Sequence, residues 1–110
     1  MTDDLDALDR ECAEFLGAKP DPEEPGIFTN FPGLRPEART PFSPTRDWRD
    51  FGALLLFMVE SKPDLQPTIT YSREKLAFYA ALRDTDSYSE DSDPRVALAL
   101  AVRALRGAGR

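Results

Sequence analysis

The sequence predicts a small α+β domain: a layered α/β/α sandwich, three helices around a short antiparallel sheet, with a proline-rich ordered wrap. Three observations predict it. Apolar residues recur at helical spacing near both ends and in the middle of the chain. A period-two run, Thr68-Ile69-Thr70-Tyr71, precedes a short polar connection and a second apolar run. Seven of the ten prolines crowd into residues 18–44, where they forbid regular helix. With so few strands, the helices must cover the sheet, which is the layered arrangement.

The first helix is expected over about residues 3–16. Thr2 serves as its N-cap, and Asp3 and Asp4 sit in the first turn, where the helix dipole favours anions. Leu5, Leu8, Cys12, Phe15 and Leu16 form its apolar stripe, and Gly17 stops it. Cys12 lies on that stripe and reads as a plain buried thiol. Residues 18–43 form the wrap. Ile27, Phe28, Phe31, Leu34 and Phe42 interrupt it, and a solvated linker would not need such side chains. A short strand is expected at about 26–29.

Ser43 followed by Pro44 reads as an N-cap and first helical residue, opening a helix from about 44 to 60. Trp48, Phe51, Leu55, Met58 and Val59 make its main stripe, and Leu54, Leu56 and Phe57 widen it. So broad an apolar surface implies contact on more than one side. Ser61 to Pro63 end it. A hairpin follows, with strands at 68–71 and 76–82 joined through Ser72-Arg73-Glu74-Lys75. An acidic loop over 84–92 then leads to a last helix, which Asp93 caps and Pro94 opens. Its stripe is Ala97, Leu98, Ala101, Ala104 and Leu105. Gly107 stops it, and residues 107–110 are expected to fray.

Composition excludes several chemistries. The 110 residues make a single domain, and they hold one cysteine and no histidine. An intramolecular disulfide, Ser-His-Asp and Cys-His nucleophile systems, and His- or Cys-rich metal sites are therefore ruled out. The formal net charge of −6 argues against direct nucleic-acid binding, which phosphate neutralisation drives. No apolar run is long enough to span a membrane. The N-terminus carries Asp3, Asp4 and Asp6 rather than a basic secretory leader, so the expected location is cytoplasmic. No cofactor is expected.

One constellation stands out as a candidate site. Pro41 to Trp48 combines a helix N-terminus, whose free N–H groups suit an anion, with the hydroxyls of Ser43 and Thr45 and the charge of Arg46. Trp48 is placed to stack on a base or to pack in the core. Arg35, Arg39 and Arg73 are candidate walls for a small anionic, nucleotide-like ligand. The simpler account has Ser43 only capping, the arginines pairing with Glu37, Asp47 and Asp50, and Trp48 in the core. The run Asp84, Asp86, Glu90, Asp91, Asp93 has a calcium-loop flavour. It lacks the turn glycine and has Tyr88 at a ligand position, so a solvated acidic loop explains it. Tyr71 and Tyr79 read as half-buried strand residues that, with Arg73, are placed to line a pocket.

Phe42-Ser43-Pro44-Thr45-Arg46-Asp47-Trp48 resembles the start of the central helix in the phage ABA-sandwich domain family. Asp93-Pro94-Arg95-Val96-Ala97-Leu98-Ala99 looks like the closing alanine-rich helix of that family. The chain departs from it after the first helix, reading Phe15-Leu16-Gly17-Ala18 where many members carry Met-Gly-Trp. The resemblance implies helices on both sides of a sheet and a phage or prophage origin, hence a host-cell cytoplasmic setting. It carries over no catalytic residues. The expected function is a non-enzymatic accessory protein that binds a host or phage protein or a small anionic ligand, in a counter-defence role. The alternatives are an acidic module that blocks a basic, nucleic-acid-binding surface of a host protein, and a structural homo-oligomer built on the broad face of the central helix.

Overall fold

The computed structural model describes residues 2–83 and 88–107. Three helices and two small antiparallel sheets alternate along it, a mixed α+β arrangement. Helix α1 (Thr2–Phe15) buries Leu8, Cys12 and Ala13. It ends in a Schellman motif. Ala18 N–H donates to the Ala13 carbonyl at 3.0 Å and Gly17 N–H to that of Glu14 at 2.9 Å, around Gly17 at φ +94°. Cys12 is fully buried, and burial first, then the charges of Asp9 and Glu11, pushes its thiol well above the ordinary range. Native protein is therefore expected to resist a thiol reagent such as DTNB for hours and to react within minutes once unfolded. Rapid labelling of the native state would contradict the burial.

The proline segment is ordered by a sheet that its prolines concealed. Strands β1 (Lys19–Pro20), β2 (Ile27–Thr29) and β3 (Thr40–Pro41) pair antiparallel, with Phe28 facing Pro20 on one side and Thr40 on the other. Pro20 and Pro41 sit on the two edge strands, where a missing donor is tolerated. Asp21 accepts from the N–H groups of Glu23 and Glu24, and Arg39 clamps that turn through Asp21 at 2.7 Å and Glu24 at 2.8 Å. Phe28 and Phe42 are buried, and Phe42 packs on Phe31 at 4.9 Å between ring centres.

Helix α2 (Trp48–Ser61) starts four residues later than the Ser43-Pro44 signal suggests. Its N-cap is Asp47, whose carboxylate accepts from Arg49 N–H at 2.8 Å. Ser43 heads a separate helical turn instead: its carbonyl accepts from the N–H groups of Arg46 and Asp47. Leu54 and Met58 carry α2 into the core. Gly52 lies mid-helix, where glycine costs about 1 kcal/mol relative to alanine. A Cβ there would meet nothing within 4 Å.

A 3₁₀ turn (Pro63–Leu65) leads to β4 (Thr68–Ser72), which pairs with β5 (Ala77–Ala81) in the expected hairpin. Leu76 belongs to the turn rather than the strand. It is exposed and left-handed at φ +50°. Part of the expected acidic loop is instead a third strand, β6 (Tyr88–Asp91), paired with β5 from Phe78↔Asp91 to Ala81↔Tyr88. Asp84 and Asp86 lie outside the described residues. Helix α3 (Pro94–Gly107) covers this sheet and packs on α1. Small residues on both surfaces, Ala77 and Ala80 on the sheet and Ala97 and Ala101 on the helix, are buried there. Val102 rather than Ala104 completes the buried stripe of α3; Ala104 faces solvent.

Candidate functional site

The turn that precedes α2 is held by carboxylates. Asp9 is buried on α1, one residue from Leu8 and three from Cys12, with its side chain 4% exposed. It accepts from Thr45 N–H at 3.0 Å, Thr45 Oγ1 at 2.8 Å and Arg46 Nη2 at 2.8 Å. The same Arg46 nitrogen lies 2.6 Å from Asp6. These bonds to Asp9 and then Asp6 raise the guanidinium pKa further. Asp50, on the first turn of α2, accepts from Ser43 N–H at 2.9 Å. Burial raises the Asp50 carboxyl above the ordinary range, although the Ser43 bond acts against it.

Ser43, Thr45 and Arg46 are thus brought together as the sequence suggests, with both oxygens of Asp9 and one of Asp50 on their donors. A cluster of donors at a chain turn attracts an anion. Here the anion is supplied from within the chain. Asp9 is the residue that motif reasoning missed. Its signal was present: an aspartate on the apolar face of α1 can be buried only with partners.

The other candidates lie apart from this cluster. Trp48 is 58% exposed and not a core residue. The Arg95 guanidinium lies over its ring at 4.3 Å, and Phe51 meets it edge-on at 5.5 Å. Arg95 is itself fixed by Asp93, at 2.8 Å, and that partner holds the Asp93 carboxyl below the usual range. Arg35 is exposed beside Glu37 at 3.7 Å. Arg39 clamps the wrap, and Arg73 is exposed in the β4–β5 turn. Tyr71 is exposed and packs on Phe78 at 4.8 Å. The Tyr79 hydroxyl is raised in pKa chiefly by its hydrogen bond with Glu90.

Beside the Arg46 cluster opens a cleft of about 630 Å³ between α1 and the wrap. Phe28 and Phe42 contribute to its lining, and the carboxylate residues Asp6, Asp9, Asp21, Glu23 and Glu24 outnumber Arg10 and Arg46 around it. Arg35, Arg39, Trp48 and Arg73 do not line it. Among the described residues, no three His, Cys, Asp or Glu side chains are placed to hold a metal ion together. No helix among them is long and apolar enough to cross a membrane. The cleft is acidic at its rim: Asp6 and Asp9 hold Arg46, Asp21 and Glu24 hold Arg39, Glu23 is exposed, and Phe28 and Phe42 are buried beneath it. Comparison with known protein families, with characterised proteins and with solved structures finds no match for this chain.

Proposed function

We propose that the protein is a non-enzymatic, acidic interaction module that docks lysine or arginine side chains of a partner protein and thereby covers a basic surface. One observation carries the reading. The donors expected to receive an external anion are engaged by Asp6, Asp9 and Asp50, and the adjoining cleft is rimmed by carboxylates. The formal net charge of −6 agrees with it and would speed encounter with a basic partner. Of the acidic stretch before α3, Asp91 accepts from Asp93 N–H and Asp93 pairs with Arg95; in the cleft the exposed Glu23 is engaged by no described ion pair, so the docking surface is set there. The phage-family resemblance supplies the setting within the same proposal, a counter-defence factor acting on a host protein. A nucleotide-like anion at Ser43, Thr45 and Arg46 is the competing reading, and it would have to displace Asp6 and Asp9.

The test is calorimetry with an octa-arginine peptide and, separately, with AMP and inorganic phosphate. Wild type is expected to bind the peptide with an affinity that falls steeply between low and high salt, and to bind neither anion. The double variant Glu23→Lys, Glu24→Lys should weaken peptide binding at least about tenfold, whereas Glu74→Lys, in the β4–β5 turn, should change it little. Equal losses from both variants, or AMP binding that survives high salt, would overturn the proposal.

A further inference from the structure

Helix α2 is apolar on the side that faces away from the core as well as on the side that builds it. Leu54 and Met58 point inward and are fully buried. On the opposite arc lie Trp48, Gly52, Leu56 and Val59, and the three large side chains among them are each more than half exposed. A helix apolar all round is normally covered all round. Arg49 and Glu60 flank the arc at its two ends, both exposed, and no described ion pair engages either side chain.

We infer that this face is the contact between two copies of the chain, with α2 packed antiparallel against its own symmetry mate. The spacing is self-complementary. A two-fold axis crossing this outer face midway between Gly52 and Leu56 sets Leu56 of each copy opposite Gly52 of the other, so that a leucine knob enters the gap a glycine leaves. The same axis brings Trp48 within one residue of the level of Val59 and Arg49 within one residue of the level of Glu60, twice each, so apolar side chains lie near apolar ones and each cation near an anion. Isologous pairing requires this kind of match. A parallel pairing would set Arg49 against Arg49. Gly52 supports the assignment independently: nothing within the monomer lies within 4 Å of a Cβ built there, so the monomer has no steric need of glycine. A neighbouring copy does, because glycine lets two helix axes approach closely. A hollow of about 310 Å³ beside Ala53, Leu56 and Glu60 extends the same surface toward Phe31 and Pro32 of the wrap, leaving room for the rim of a second chain.

Sedimentation velocity from about 1 to 200 µM tests this. The expected result is a reversible monomer–dimer equilibrium in the micromolar range, as suits one helix face plus a rim. Gly52→Leu should weaken the dimer at least tenfold while circular dichroism shows an intact fold. Arg49→Glu and Glu60→Arg should each weaken self-association. An equimolar mixture of those two variants should recover it, since both cross-pairs are then of opposite sign. A chain that stays monomeric throughout, as it would if a different protein covered this face, overturns the inference. So does a dimer indifferent to Gly52→Leu and to the charge exchanges.

Discussion

Replacing Asp9 with alanine is expected to destabilise the protein by about 3 kcal/mol, measured by urea unfolding at neutral pH. The carboxylate is buried and accepts from two groups of Thr45 and from Arg46. Its removal leaves a backbone N–H and a hydroxyl without acceptors, at roughly 1–3 kcal/mol for a buried unsatisfied group, and takes a partner from a cation. Asp9→Asn should lose about half as much, because an amide oxygen still accepts from Thr45. Arg46→Ala should cost only about 1 kcal/mol, since its side chain is 42% exposed and its pairs are screened. If Arg46→Ala proved the more damaging change, the turn would be held by the surface pair rather than by the buried acceptor.

Phe42→Ala should cost about 3–4 kcal/mol, the range for deleting a buried phenyl ring. Phe42 is 1% exposed and packs on Phe31, and its N–H donates to Gly26 across the wrap. The ring ties a segment with few backbone hydrogen bonds to the core, so its loss should also loosen the wrap. Limited proteolysis would then cut within residues 19–41 well before global unfolding. Uniform protection of the wrap in the variant would show that β1 to β3 and the Arg39 clamp hold it without the ring.

Where local rules acted alone, the sequence was a good guide. The stripe of α1, its stop at Gly17 and the Asp93-Pro94 start of α3 depend on spacing and cap chemistry within a few residues, and all three stand where those rules place them. The period-two run became β4 for the same reason. Tertiary partners decided the rest. Ser43 looks like a cap, but Asp50 takes its N–H and Asp9 takes Thr45, thirty-six residues away, so the helix restarts at Asp47. Strands β1 and β3 are two residues each and contain prolines, which no local pattern marks as sheet. In β6, Ser89-Glu90-Asp91 has the composition of a loop and pairs only because β5 offers an edge. The broad apolar surface of the central helix was legible from the outset. That Trp48 lies outside the core was not, because periodicity gives the width of a face and not its direction.

The packing of α1 on α3 has a kinetic consequence. Arg103 grips Glu11 in a forked pair across ninety-two positions, and Arg106 reaches the Glu11 carbonyl and Glu14. Helix α1 is made before α3, so part of the surface it docks on does not yet exist when it emerges. Until then Leu8, Cys12 and Ala13 have no finished core to enter. Such distant closure slows folding and prolongs the exposure of an early apolar stripe. The α1–α3 interface can therefore close only after residues 94–107 have been made.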